Sequence, residues 1–206
     1  MSETFDKNFW ESHWNHDPGH ERQLLPANPY LETELAGLTP GTALDAGSGQ
    51  GAEAIWLASH GWNVTGADIS AHALSQAHAR AAAEGIDVNW VESDLSIWQP
   101  KESYDLVTTF YAHPTIPQLE FYDRIAEWVR PGGSLLIVGH LHTDSTHHHH
   151  STPAHASARA ASVAERLTAS GWRIDTAEER ERLVQDPLGR TIPIADFIVR
   201  ATRDLT

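Results

Sequence analysis

Not one cysteine occurs among the 206 residues, which removes disulfides, thiolate metal sites and cysteine nucleophiles from consideration. Basic residues are also scarce. Fourteen Lys and Arg stand against 28 Asp and Glu, a formal charge of -14, and no local basic cluster is visible. Phosphate backbones and anionic membrane surfaces would be repelled by such a chain, so neither nucleic acid nor a membrane is expected as partner. No eighteen apolar residues run together, and the start, MSETFDKNFW, has neither a basic nor an apolar leader-like region. A cytoplasmic protein is the expectation. Internal repeats are absent too. With 40% hydrophobic content the chain can bury one sizeable core, so residues 1–206 are expected to form a single domain.

What is present is concentrated in Leu44-Asp45-Ala46-Gly47-Ser48-Gly49-Gln50-Gly51. Thr42-Ala43-Leu44 is short and apolar, as a covered parallel strand should be, and Ala52 to Ser59 carries apolar residues at helical spacing. Strand, glycine turn and helix therefore follow in order. Glycine suits such a turn because a side chain would collide with a closely approaching ligand and because glycine takes positive φ without steric cost. Gly47, Gly49 and Ala52 also satisfy a permissive dinucleotide fingerprint, which holds a pyrophosphate at a helix N-terminus. Asp45 argues against that reading. A carboxylate two residues before the first glycine would repel pyrophosphate, yet it suits a ligand bearing a sulfonium and an amino group, such as S-adenosylmethionine.

Beyond this loop the pattern alternates strand and helix. Ala71 to Glu84 reads as a helix capped by Ser70 and stopped by Gly85, and further helices are expected over Ile116 to Trp128 and Pro153 to Ser170. Trp172 to Glu178 and Ile192 to Ala201 read as two late strands joined through Asp186-Pro187-Leu188-Gly189. A nicotinamide-binding domain would instead end on a parallel strand.

On these residues the chain resembles the class I S-adenosylmethionine-dependent methyltransferases, whose first motif, D/E-x-G-x-G-x-G, is matched by Asp45 to Gly51. Gly61 to Ser70 looks like the family's second strand, Val88 to Ser96 the third, Tyr104 to His113 the fourth and Val129 to His140 the fifth. The resemblance implies an α/β fold: a Rossmann-like, mostly parallel sheet of seven strands, helices on both faces and a C-terminal antiparallel hairpin. It implies S-adenosyl-L-methionine as cofactor, S-adenosyl-L-homocysteine as product, and a small-molecule methyl acceptor such as a thiol, metalloid or other nucleophile. Carried over residue by residue, Asp45, Gly47, Ser48, Gly49, Gln50 and Gly51 would cradle the cofactor. Asp68, with Ile69, would bind the ribose, and Asp94, with Leu95, the adenine. FWESHW (Phe9 to Trp14), PANPYL (Pro26 to Leu31) and the run from Asp45 to Ser70 resemble the branch containing tellurite-resistance and thiopurine-type enzymes. There the N-terminal segment, here residues 1–38, forms part of a lid, and Trp10 and Glu11 match the start of its motif. His13-Trp14 replaces the basic-aromatic pair often found next.

Each assignment has a plainer counterpart. Asp45 could serve a helix N-terminus, Asp68 could cap the next helix, Asp94 could start a turn, and the tryptophans could anchor a helix. His113 follows the fourth strand at its carboxyl end, where open parallel sheets bind ligands, and is the candidate general base beside Tyr111. His16 and His20 are weaker candidates. His140, His142, His147, His148, His149, His150 and His155 make up half of the fourteen histidines. Their segment, with a loop over 141–152, reads as a polar connection in which His147 to His150 could take up metal adventitiously. Two other functions stay open: a non-catalytic metal-binding protein using this loop, and an NAD-dependent oxidoreductase.

Overall fold

The computed structural model describes residues 5–15, 26–141, 158–185 and 190–205. Chain order is α1 (Lys7–Trp14), α2 (Tyr30–Glu34), β1 (Thr42–Ala46), α3 (Ala52–Ser59), β2 (Asn63–Asp68), α4 (Ala71–Glu84) and β3 (Asn89–Glu92). It continues with β4 (Tyr104–Phe110), α5 (Gln118–Ala126), β5 (Val129–His140), α6 (Ala160–Ala169), β6 (Trp172–Gln185) and β7 (Thr191–Arg203). The seven strands form one sheet ordered β3-β2-β1-β4-β5-β7-β6. Strands β1 to β5 pair in parallel, and β7 runs antiparallel between β5 and β6. This is the Rossmann-like sheet and terminal hairpin expected from the sequence.

Central strands are apolar in continuous runs because both faces are covered. Along β5, Leu135 and Ile137 point into a cluster with Phe121, Trp128, Val163 and Phe197, whereas Leu136 and Val138 point into one with Leu57, Trp62, Leu106 and Ile198. That alternation follows from the two-residue period of a strand and puts α5 and α6 on one side, α2 and α3 on the other. Connections from β1 and β4 leave in opposite directions, which opens a crevice at their carboxyl ends.

Local signals set most boundaries. Ser70 Oγ accepts from Ala73 N at 3.2 Å, and Gly85 closes α4 with φ 67°, so that helix spans the expected residues. Helix α5 is shorter than the sequence suggests. Pro117 pushes Ile116 out of helical geometry, and at the other end Trp128 O accepts from Tyr104 N at 2.9 Å as β5 begins. Helix α6 begins at Ala160 rather than Pro153, with residues 153–157 outside those described. Strands β6 and β7 extend beyond the expected residues, because pairing continues through Gln185↔Thr191 even where the sequence is strongly charged.

Candidate active site

The turn after β1 is held by its own backbone. Gly47 N and Ser48 N both donate to Ala67 O of β2, at 2.8 and 3.1 Å. Gly47 sits at φ 83°, and a Cβ there would stand 2.5 Å from the Ala112 Cβ, so only glycine lets the β1 and β4 loops meet. A Cβ on Gly51 would instead press into Trp90 and Ala77, inside the packing of α4 on β3.

Three carboxylates converge around this loop. Asp45 is 1% exposed; its Oδ1 accepts from Thr108 Oγ1 at 2.9 Å, while its Oδ2 has no partner among the described residues. Burial first, and then the nearby Glu53, push the Asp45 carboxyl well above the ordinary carboxylate range. Glu53 of α3 is raised by burial as well, although its Oε1 accepts from Asn28 N at 3.1 Å. Asp68, at the end of β2, accepts from Gly49 N at 2.8 Å and from Ser70 N at 2.9 Å, and burial still outweighs those bonds and raises it. Ser48 Oγ is buried and likewise unpartnered. Such a group of half-satisfied anions is unfavourable alone and favourable around a cation.

Helix α1 closes one side. Its Glu11 carboxylate accepts from Ser70 Oγ at 3.0 Å, Ala71 N at 2.9 Å and His72 N at 3.3 Å, with His72 Nδ1 at 2.7 Å. The partial positive charge of the α4 N-terminus favours the same arrangement. Desolvation opposes ionisation of Glu11, but these donors overcome it and hold the carboxyl at about 2. Trp10 Nε1 donates to His113 O at 3.2 Å, and the Trp14 ring lies over the Gly49 backbone.

A cavity of about 880 Å³ runs between α1, the β1 turn and the hairpin. Gly47, Ser48, Gly49, Gln50, Asp68, Ile69, Asp94, Leu95, Trp10 and His113 all line it. Gly51 and Asp45 are not part of its wall: Gly51 supports packing, and Asp45 lies behind the loop. Asp94 also makes the turn its position suggests, accepting from Ser96 N at 2.9 Å. His113 Nδ1 stands 3.0 Å from Gln118 Oε1, and Gln118 Nε2 donates to Ala112 O. The Gln amide is thereby oriented so that Nδ1 of His113 carries the proton. His16, His20, and His142 to His155 lie outside the described residues, and no cluster of three metal-ligating side chains occurs among the described ones.

Sequence reasoning did not single out the far end, where Asn28, Arg182, Val184 and Ile194 join Tyr111 and His140. Arg182 hides in an alternating Glu-Arg run, and only the register of β6 on β7 turns it inward. Asp196 offered a signal: a lone acid inside the apolar strand IADFIV must be paired if buried, and it is 0% exposed.

A parallel sheet with a glycine turn, an acid after β2 and a cationophilic pocket at the switch point defines a nucleoside-cofactor domain of Rossmann-like class. Residues 43–133 match the family model described as a methyltransferase domain. The chain is 30% identical over 133 residues to ubiquinone biosynthesis O-methyltransferase of Cronobacter sakazakii, covering 61% of this chain and 55% of that one. It is 33% identical over 114 residues to ribosomal RNA small subunit methyltransferase C of Alcanivorax borkumensis, covering 48% and 32%. The chain thus spans about half, or less, of the length of these relatives. Among solved structures, the fold is similar to one described under conversion of a disulfide bond into a thioacetal group during echinomycin biosynthesis, with TM-score 0.73, 23% identity and coverage of 97% and 92%. Over residues 43–133 the chain is thus similar to methyltransferase domains, and its fold as a whole is similar to that of an S-adenosylmethionine-dependent methyltransferase of Methanosarcina mazei, with TM-score 0.62, 21% identity and coverage of 88% and 100%.

Proposed function

We propose that this protein transfers a methyl group from S-adenosylmethionine to a small-molecule acceptor. The observation that supports the reading is the set of carboxyls at the glycine turn, with Glu53 and Asp68 in the cavity wall and the partnerless Asp45 Oδ2 buried behind it, all raised by burial and so matched to a ligand with a positively charged amino acid end. When bound, S-adenosylmethionine supplies an electrophilic methyl group on a sulfonium sulfur. Gly47, Ser48, Gly49 and Gln50 give it a backbone cradle, Asp68 takes the ribose hydroxyls, and Ile69, Asp94 and Leu95 hold the adenine. Trp10 and Trp14 cover it from α1. Most of the rate then comes from orientation and exclusion of water, for which a lid and an enclosed cavity suffice.

One relative is named for O-methylation in ubiquinone biosynthesis and another for methylation of ribosomal RNA, so similarity to them leaves the acceptor open. Charge favours the small molecule: at -14, with Arg182 turned inside the cavity, the surface offers little to a phosphate backbone. Calorimetric titration with S-adenosylhomocysteine, with oxidised and reduced nicotinamide dinucleotides as controls, tests the reading. Micromolar binding of the first alone is expected. Preference for a dinucleotide, or binding of nickel or zinc in place of any nucleoside, would overturn it.

A further inference from the structure

The end of the cavity away from the glycine turn is built as one hydrogen-bonded chain. Asn28 links it to the cofactor side, with its N on Glu53 Oε1 and its Nδ2 donating to Tyr111 Oη at 2.8 Å. Arg182 donates through Nη2 to the same phenol oxygen at 3.1 Å and through Nε to Asp196 Oδ2 at 2.6 Å. The other oxygen of Asp196 meets His140 Nδ1 at 3.1 Å, and the His140 ring stacks on Tyr111 with centroids 4.0 Å apart. Asp196 is wholly buried, whereas the His140 side chain is 39% exposed and lines the cavity.

Two consequences follow from counting donors. With Nδ1 committed to a carboxylate, His140 presents Nε2 as its lone-pair nitrogen. Two N–H donors fill both lone pairs of the Tyr111 phenol, so its own proton can only be donated outward. Burial, then the charge of Asp196, push that phenol above its ordinary value and keep the proton on it. Tyr111 holds this position at φ 55°, a conformation that costs a bulky residue energy and is kept only where surroundings enforce it. Burial works against ionised Asp196, yet the bonds from His140 and Arg182 keep its carboxyl below the usual range. The remaining titratable or charged groups around His140 are Tyr111 from the β4 loop, Arg182 from β6, Asp196 from β7 and, beyond Asp196, Tyr30 of α2.

We infer that His140, oriented by Asp196, is the catalytic base for a weakly acidic aromatic hydroxyl acceptor, with Tyr111 donating to a neighbouring oxygen on the same ring. This rests on the methyltransferase reading and names its acceptor class. The hydroxyl proton passes to His140 Nε2 and the hydroxyl oxygen forms the new O–CH3 bond. The donor's methyl–sulfur bond breaks with its electron pair on sulfur, and the imidazolium releases its proton to water. Phe5, Trp10, Phe110 and Ile194 supply flat or apolar walls suited to an aromatic ring. His113, whose Nδ1 meets Gln118 Oε1, lines the same cavity.

The test uses the full protein loaded with S-adenosylhomocysteine and 4-nitrophenol as probe, whose ionised form absorbs at longer wavelength. Well below the phenol's own pKa, wild type should bind it with the phenolate spectrum, and His140→Gln should bind it as the neutral phenol. With S-adenosylmethionine, turnover of phenols should fall about 100-fold or more in His140→Gln while S-adenosylhomocysteine affinity stays unchanged. Asp196→Asn should show the same spectral loss in part. Equal phenolate fractions in wild type and His140→Gln overturn the base assignment. Failure of the loaded protein to bind 4-nitrophenol overturns the acceptor class, and failure to bind S-adenosylhomocysteine overturns the methyltransferase reading beneath it.

Discussion

Replacing Asp68 by alanine separates a structural carboxylate from a ligand-binding one. In the protein without ligand, Asp68 accepts two backbone N–H bonds, from Gly49 and Ser70, each worth roughly 1.5–3 kcal/mol when the acceptor is charged. Burial more than offsets them, since the carboxyl is raised rather than lowered. Removing it therefore relieves desolvation as it removes bonds, and Asp68→Ala should change folding stability by only about 1 kcal/mol. Cofactor binding has no such offset. Losing two ribose hydroxyl contacts to a charged acceptor costs about 3 kcal/mol, which is about 150-fold in affinity. Asp68→Asn should do no better, because its amide nitrogen must face Gly49 N or Ser70 N, donor against donor. Denaturant titration gives the stability and calorimetry with S-adenosylhomocysteine gives the affinity. Wild-type affinity in Asp68→Asn, or a large stability loss with affinity intact in Asp68→Ala, would refute this account.

Other perturbations probe the lid, the anionic recess and the core. Glu11→Gln keeps the side-chain shape but replaces charge-assisted bonds to Ser70, Ala71 and His72 by neutral ones, so docking of α1 should weaken by about 1 kcal/mol, read as faster amide exchange over residues 7–14. In the wild type the stabilisation from Glu11 is complete above the ordinary value near 4.5 and is lost as pH falls toward about 2, so the protection of those amides, taken relative to their intrinsic exchange rate at each pH, should fall over that window. Asp45, Glu53 and Asp68 have the opposite sign: raised in the folded protein, they favour folding at acid pH and lose that advantage as pH rises through their folded values. Binding of cationic S-adenosylmethionine should therefore release protons and raise the melting temperature more at neutral than at mildly acidic pH, and a pH-independent gain would contradict it. Leu136→Ala empties a fully buried site in the central strand and should cost about 2–5 kcal/mol in denaturant titration, with a milder value showing that the α3 face collapses into the space.

The parallel half of the fold was legible because its signals are local. A short apolar strand, alternating glycines and capped helices each declare themselves within a few residues, and Ser70 and Gly85 mark both ends of α4 where the structure has them. Most residues that the sequence assigned to the cofactor line one cavity for the same reason, since a turn and the end of a strand fix their place on the sheet, whereas Asp45 and Gly51 lie outside its wall. Helix α5 came out shorter because Pro117 acts on the residue before it, and apolar spacing alone does not show that. The other end of the cavity depends on register. Arg182 is inward only because β6 pairs on past Glu178, placing it opposite Ile194, and Asn28 matters only because α2 packs near β4. Trp10 and Trp14 were open to two readings; the Trp10 Nε1 bond to His113 O docks α1, and both side chains line the cavity.

The hairpin built from β6 and β7 has a consequence for how such a protein can diversify. Its contribution to the cavity, Arg182, Val184 and Ile194, comes from strands that touch neither β1 nor β2, where the glycine turn and Asp68 reside. Changes in the hairpin can therefore reshape one end of the chamber while the other keeps its geometry. Grafting β6 and β7 from a relative with a different acceptor onto this sheet would exchange selectivity as a module, with β5 as the seam.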